Sequence, residues 1–300
     1  MMATLPSLSI DNIVLTIPIE PEQEQEIQDR LTNATNLFPG RVSNRKPRGR
    51  YKDGYEFTVS PDTVINIDAN PARAGYSYLK LSYSPAQLSQ DGTALLVDYL
   101  SYILGENYRE LFHCGHVQEM VVGFDLREVI LDNLWIYSTG RRDKNVEMVC
   151  NSDMEQQSIC FGHKSTRKLV FTQEACELAD AAPCVHVEYR YKKGNYILKE
   201  ILTKLDDPLY HITIRLYAPM PDMDEVSSRL LFDACRIRGR SQVLAMYPDD
   251  ERKSLKATMM NRFSLIDASK LRLGVWAQLR REIDTLIPIP AESDEAISVL

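Results

Sequence analysis

Long hydrophobic runs are absent from this sequence, and so is a stretch typical of a secretory signal. No segment approaches the roughly 18 to 20 consecutive apolar residues that span a bilayer. The amino-terminal stretch MMATLPSLSIDNIVLTIPIEPEQEQE has no basic residue and turns acidic at its end. We therefore expect a cytoplasmic protein with no membrane partner, whose cysteine thiols stay reduced.

Cysteine spacing gives no disulfide or zinc-ribbon framework. The chain has six cysteines and no paired CxxC. Two of the cysteines, Cys114 and Cys160, have two alternative interpretations. His113, Cys114 and His116, together with Cys160 and His163, could supply zinc ligands, or the cysteines could fill small apolar spaces at strand edges.

Several common catalytic motifs are also missing. The sequence lacks GxxxxGK[ST], a GxGxxG after a strand, GxSxG and HExxH, so the corresponding nucleotide-binding, hydrolase and metallopeptidase classes are not indicated.

Positive charge is concentrated in one short stretch of an acidic chain. The net charge of −7 argues against a passive nucleic-acid coat, because neutralising phosphates supplies most non-specific affinity. The stretch RVSNRKPRGRYK nevertheless holds six cations, and we call Arg41–Lys52 the basic segment. Like charges this dense repel one another without a partner. We predict a loop that contacts phosphates through Arg45, Lys46, Arg48, Arg50 and Lys52.

The periodicity of apolar residues predicts an α+β protein. We expect an antiparallel-rich central sheet with flanking helices in residues 1–220, and a helical carboxy-terminal extension in 221–300. The predicted strands are 10–18, 54–59, 63–68, 76–83, 117–125, 145–150, 156–162, 167–172, 184–191 and 209–217. The predicted helices are 20–32, 91–112, 196–204, 225–246, 250–262 and 267–287.

Five stretches in this order are similar to parts of a known family. They are LKLSYSPAQLS, VQEMVVGFDL, SICFGHKSTRKLVFTQE, VHVEYRYKKGN and LLFDACRIRGRSQVLAMYPDD. The chain thereby resembles the replication initiation factor family, the rolling-circle initiators and related relaxases of small plasmids, conjugative elements and filamentous phages. The resemblance covers most of the chain from about residue 54.

The resemblance implies a DNA-nicking chemistry and a set of partners. In the family a tyrosine attacks a DNA phosphodiester, and a divalent metal such as Mg²⁺ or Mn²⁺ neutralises charge on the phosphate. Origin DNA, single-stranded or in a hairpin, is the implied partner, with a host helicase and a second copy of the chain as further partners. Basic residues that could seat the DNA are Lys164, Arg167 and Lys168 on a predicted hairpin and Arg190 on the next strand; in the alternative interpretation they form a solvated polar face.

The resemblance also places acidic metal ligands at Asp125 and Glu188. His186 lies two residues before Glu188, so both point to the same face of a strand and His186 joins the predicted metal site. In the alternative interpretation Glu188 forms an ion pair with Arg190 or Lys192 on a solvated face.

The match departs from the family at the nucleophile. The family's tyrosine falls on Thr172, its lysine on Glu174, and its arginine on Val170, while the first of two aspartates falls on Val121. Threonine cannot replace the phenol, because its alkoxide is a far poorer leaving group. Either the register differs, the nucleophile lies elsewhere, or the chain does not cut DNA.

The candidate nucleophile elsewhere is Tyr196. We predict a helix beginning there, which would put Lys199 on the same face, where its ammonium could stabilise a phenolate. The alternative function is a catalytically inactive descendant that binds DNA or a replication protein as a regulator. An interaction protein with no nucleic-acid role is a third hypothesis, which the net acidity favours.

Overall fold

The structure is a computed structural model. It describes residues 8–73, 77–138, 146–150, 157–162, 169–173, 182–201, 209, 212–262, 265–266, 277–283 and 286.

The described residues form two compact units. Those of Leu8–Gly123, Arg190–Leu205 and Trp276–Leu300 form the amino-terminal unit. Those of Phe124–Tyr189 and Asp206–Val275 form the carboxy-terminal unit. The domain boundary predicted near residue 220 falls inside the carboxy-terminal unit.

The amino-terminal unit is built on a sheet of mostly long strands in the order β2-β3-β4-β5-β1-β6-β11. The pairs β2/β3, β3/β4, β4/β5 and β1/β5 are antiparallel. The strand bounds are β1 Leu8–Pro18, β2 Val42–Asn44, β3 Tyr51–Ser60, β4 Thr63–Pro71, β5 Tyr78–Tyr83, β6 His116–Arg127 and β11 Cys184–Ile197. Strands β6 and β11 each contribute residues to both units.

Several α-helices accompany this sheet, and among the described residues of the unit 277–283 are also helical. Three of them precede β6. They are α1 Glu24–Leu37, preceded by a 3₁₀ turn, α2 Gln90–Leu104 and α3 Tyr108–His113. In α2, Leu96, Leu100 and Ile103 recur at helical spacing and are buried, and the Ser89 hydroxyl caps the first turn by accepting a hydrogen bond from the Gly92 amide. The single helix predicted over 91–112 is wrong. Gly105, at φ 78°, ends α2 because this left-handed conformation suits glycine.

The carboxy-terminal unit contains a sheet portion in the order β6-β11-β10-β9-β8 and a second, three-stranded sheet. The strands introduced here are β7 Leu134–Ser138, β8 Val146–Cys150, β9 Gln157–Phe161, β10 Leu169–Gln173, β12 Ile212–Leu216 and β13 Leu265–Ile266. Val187, Phe171 and Ile159 are cross-strand neighbours on one face, and all three are buried. That face is the apolar one at these positions, and Ser158, Thr172 and His186 lie on the other.

Three helices follow in this unit, namely α4 Glu225–Arg238, α5 Arg240–Leu244 and α6 Asp249–Arg262. Their buried side chains form one core with Trp135, and Phe232 at its centre is fully buried. The continuous helix predicted over 225–246 is wrong, because Gly239 at φ 83° separates α4 from α5.

The fold class predicted from the sequence is confirmed: the protein is α+β, with a large antiparallel sheet and flanking helices. Two further elements differ from the prediction. Helix α1 starts later than predicted and runs to Leu37, since Leu31 and Ala34 extend its buried stripe. No helix begins at Tyr196, which lies within β11. Within the described ranges, no helix is both long and apolar enough to cross a membrane.

Candidate nucleic-acid interface

The basic segment is fixed to the sheet of the amino-terminal unit, not free as a loop. It contains the short strand β2, which pairs with β3, and the Arg45 amide donates to the Gly54 carbonyl at 2.9 Å. At its far end the Ala72 amide donates to the Arg50 carbonyl at 2.8 Å. A Cβ added to Gly54 would lie 2.9 Å from both the Arg45 carbonyl oxygen and the Pro47 Cα, so the segment passes directly over this glycine.

A buried ion pair anchors the segment. Arg45 Nη2 lies 2.7 Å from Asp68 Oδ1, with only 13% of the Arg45 side chain and 3% of the Asp68 side chain exposed. The Arg48 amide donates to the same carboxylate oxygen at 3.0 Å, and Arg45 Nη1 donates to the Lys46 carbonyl at 2.9 Å. A buried charge is tolerated when it is paired and hydrogen-bonded, as Asp68 is. The hydrogen bonds that Asp68 accepts from Arg45 and from the Arg48 amide hold the segment in one conformation.

The segment presents its remaining cations to solvent. Lys46, Arg48, Arg50 and Lys52 are all exposed, whereas Arg45 is mostly buried. Arg45 therefore has an anchoring role in the segment, and its predicted contact with DNA stays a prediction. Sequence reasoning missed Asp68. A charged residue within the apolar alternation of TVINIDANP was the signal that could have found it.

Two tyrosines lie beside this anchor. The rings of Tyr51 and Tyr78 meet edge to face with their centroids 5.7 Å apart. Burial raises the pKa of Tyr51 well above its usual range, and the neighbouring Tyr78 and the Asp68 carboxylate raise it further. The Tyr51 phenol therefore stays protonated.

A polar row crosses four strands of the carboxy-terminal unit, and we define it as Asp125, His186, Thr172 and Ser158. His186 Nδ1 lies 2.8 Å from Asp125 Oδ1. His186 is the cross-strand partner of Thr172, whose hydroxyl oxygen lies 3.1 Å from that of Ser158. A carboxylate on Nδ1 fixes the ring and its tautomer, and directs the chemistry of the histidine to Nε2.

Glu188 lies on the same face as the polar row, two residues along β11 from His186 and opposite Val170. The predicted metal residues thus occupy one face of one unit. In the part of the chain that the structure describes, however, no three His, Cys, Asp or Glu side chains converge as metal ligands do. The donor set present is the Asp125–His186 pair, so we derive no catalytic step through a metal.

The predicted catalytic pair does not have the arrangement expected for it. Tyr196 is half-buried in β11, whereas Lys199 is exposed in the 3₁₀ turn that follows. Lys199 Nζ lies 3.7 Å from the Cys114 sulfur. The premise of a shared helical face is wrong, because the β11 backbone stays extended and the Leu198 amide donates to the Gly115 carbonyl at 2.9 Å.

Of the other predicted DNA-binding residues, Arg190 is half-buried in β11. Its neighbour Lys192 forms an ion pair with Glu119 at 3.5 Å. Three further cations predicted to seat DNA, together with a predicted zinc ligand, lie outside the described residues: Lys164, Arg167, Lys168 and His163.

Comparisons with known proteins assign no family. No family model matches the chain, and no curated protein matches it. Among solved structures, the di-domain ARO/CYC BexL from the BE-7585A biosynthetic pathway is similar at a TM-score of 0.18 and 9% identity, over 77% of this chain and 94% of that one. A likeness of this size carries no argument about fold or function.

Proposed function

We propose that this chain is a replication-initiator-like protein that binds origin DNA in rolling-circle replication of a plasmid or phage. The basic segment would seat the sugar-phosphate backbone of a single strand or hairpin. The observation that carries the proposal is the group of exposed cations held on a fixed backbone by the Arg45–Asp68 pair.

The charge distribution supports this function over a purely structural one. Holding Lys46, Arg48, Arg50 and Lys52 close together costs free energy, because like charges repel. A buried carboxylate and two backbone hydrogen bonds nevertheless hold them in place. Phosphates offset the repulsion, and a segment that is already ordered loses little conformational entropy on binding.

A second observation supports the family resemblance. The resemblance places acidic groups at Asp125 and Glu188, and the nucleophile at Thr172. These positions share one face of the carboxy-terminal unit, where His186 contacts Asp125 and pairs with Thr172. Residues distant in sequence thus come together as an initiator active site would require.

The same face favours the inactive alternative, in which the chain binds DNA or a replication protein without cutting. Thr172 stands where the phenol would be, and its hydroxyl is engaged with Ser158. The Asp125–His186 pair could still act as a general base through Nε2. Cleavage by another tyrosine, with Mg²⁺ or Mn²⁺ as the implied cofactor, is tested separately from binding.

Fluorescence anisotropy with labelled single-stranded and hairpin origin DNA tests the binding proposal. The variant Lys46→Ala/Arg48→Ala/Arg50→Ala should bind at least about tenfold more weakly, because phosphate contacts dominate affinity. A matched control removes three exposed cations elsewhere, at Lys253, Arg280 and Arg281. Equal loss in both variants would show only a net-charge effect and would refute the proposed interface.

A cleavage assay separates the two forms of the proposal. Wild-type protein is incubated with supercoiled origin plasmid and Mg²⁺ or Mn²⁺, and covalent adducts are identified by mass spectrometry. Binding without relaxation or adduct supports the inactive form. An adduct on a tyrosine that is lost in His186→Ala supports the initiator with activity.

A further inference from the structure

The sheet of the amino-terminal unit has one face towards its helices and one face that solvent reaches. A buried cross-strand row lies on the helix side and consists of Tyr55, Ile67, Leu81 and Leu15. Gln28 of α1 donates to the Tyr55 hydroxyl on that side at 3.3 Å. The neighbouring row points the other way, on a side that we call the open face, and consists of Gly54, Asp68, Lys80 and Thr16. Lys80 and Thr16 are only half-buried, so solvent reaches the open face.

Tyr51 and Tyr78 both lie on the open face. Tyr78 comes two residues before Lys80 in β5, so its side chain shares the face of Lys80. The Tyr51 side chain is hydrogen-bonded to Thr16 and to Tyr78. The two rings meet edge to face at 5.7 Å, and both tyrosines are half-buried. These contacts fix the pair in position and leave part of its ring surface to solvent.

Positive charge borders the tyrosine pair. Arg50 and Lys52 lie on either side of Tyr51 in the chain, and both are exposed. Lys80 lies two residues from Tyr78 on the open face. Cations of the basic segment and of β5 therefore lie next to the two rings.

The carboxylates of the open face leave this charge in place. Asp68 is paired with Arg45 at 2.7 Å. Glu56 shares a cross-strand row with Ser82, four residues along β5 from Tyr78, which is roughly 13 Å away. Neither carboxylate therefore strongly repels a phosphate beside Tyr78.

Aromatic rings among cations have the chemistry that binds unpaired nucleobases. The rings stack on the bases, while the cations contact the phosphates between them. Bases in a duplex are already paired and stacked on one another, so their faces are not available to a side chain. An acidic peptide would satisfy the cations but has no base to stack on the rings. The combination therefore favours a single-stranded nucleic acid as the occupant of this part of the open face.

We propose that the Tyr51–Tyr78 pair is a nucleobase subsite, in which an unpaired base stacks on Tyr78 while the basic segment holds the neighbouring phosphates. Tyr78 is the residue that touches the base, and Tyr51 positions the Tyr78 ring through the contacts described above. This inference rests on the proposed DNA binding and adds a base contact that the cations alone do not provide.

Fluorescence anisotropy with oligothymidine and with an abasic strand of equal length tests the subsite, because both strands carry the same phosphates. Wild-type protein should bind oligothymidine at least about fivefold more tightly. Tyr78→Ala should abolish this preference and leave the affinity for the abasic strand unchanged, whereas Tyr78→Phe keeps the ring and should retain the preference. The matched control is Tyr102→Ala, which removes a half-buried tyrosine that contacts Phe38 on the helix side and should change neither affinity.

Photocrosslinking of an iododeoxyuridine-containing strand to wild-type protein locates the stacked base without any variant. Mass spectrometry should find the adduct on Tyr78 or Tyr51. Equal wild-type affinity for the two strands, an equal loss of both affinities in Tyr78→Ala, or adducts confined to other residues would overturn the subsite and leave phosphate binding by the basic segment standing. Wild-type protein that binds neither strand would overturn the proposed function and the subsite with it.

Discussion

Replacing Asp68 with Asn separates the anchoring of the basic segment from simple electrostatics. The change removes one negative charge from a protein of net charge −7. Coulombic attraction alone would therefore predict tighter DNA binding. We predict weaker binding instead, because Asp68 accepts from both Arg45 Nη2 and the Arg48 amide, and without it the segment loses its fixed conformation.

The magnitude follows from the contacts. A hydrogen bond to a charged group contributes about 1.5–3 kcal/mol, and removing one partner of a buried ion pair costs about 3–5 kcal/mol. Both side chains are largely shielded from solvent. Asparagine keeps one acceptor oxygen, so we expect a loss of about 2–3 kcal/mol and a fall in Tm of roughly 3–5 °C.

Limited trypsin digestion reports on the segment itself. In wild-type protein, cleavage after Arg48, Arg50 and Lys52 should be slow, because the backbone is held at both ends. In Asp68→Asn, cleavage at these sites should accelerate at least about tenfold, and the affinity for single-stranded DNA should fall. Asp62→Asn, which makes the same charge change at an exposed turn residue, is the control. Unchanged cleavage together with unchanged or tighter DNA binding would refute the anchoring role of Asp68.

Two further predictions concern single positions. Gly54→Ala should also release the basic segment, since the new Cβ would lie 2.9 Å from backbone atoms of Arg45 and Pro47. Equal trypsin cleavage rates for the variant and the wild type would count against this close packing. Burial raises the pKa of the Cys235 thiol to about 11, with a smaller opposing effect of Arg240, so at pH 8 only about one thiol in a thousand is ionised. Alkylation followed by mass spectrometry should therefore modify the half-exposed Cys114 and Cys184 before Cys235, and modification of Cys235 at the same rate in folded protein would contradict its burial.

The sequence correctly predicts those elements in which buried residues recur at a regular spacing within the element itself. In β5, the residues of YLKLSY alternate between buried and half-buried positions, and the strand is where the alternation indicates. Helix α2 likewise follows from Leu96, Leu100 and Ile103. The prediction ran past the end of α2, because the apolar spacing alone does not show that Gly105 terminates the helix.

Long-range pairing explains the misplaced helix at Tyr196. The stretch GNYILKE has local features of a helix start, but β11 continues through it to Ile197. The Leu198 amide is paired with the Gly115 carbonyl, more than 80 positions earlier in the chain. Tertiary context overrides local propensity in such a strand, and a single sequence contains no record of that partner.

The candidate site was predicted in its composition but not in its geometry. The density of cations alone indicates an exposed basic segment, and five of its six cations are exposed. The anchoring of Arg45 on Asp68 joins residues 23 positions apart, one following β2 and the other in β4, with β3 between the two strands. For the carboxy-terminal unit, the period of a strand correctly places His186 and Glu188 on one face, whereas the contact of His186 with Asp125 depends on strand order.

The salt dependence of DNA binding is the most direct test of a phosphate-binding basic segment. For single-stranded DNA, each phosphate contact contributes about 0.7 to the slope of log K against log salt. We predict that Lys46→Ala/Arg48→Ala/Arg50→Ala reduces the magnitude of this slope by about 2, while the control at Lys253, Arg280 and Arg281 leaves it unchanged. Identical slopes for wild type and the basic-segment variant would contradict phosphate binding by the basic segment.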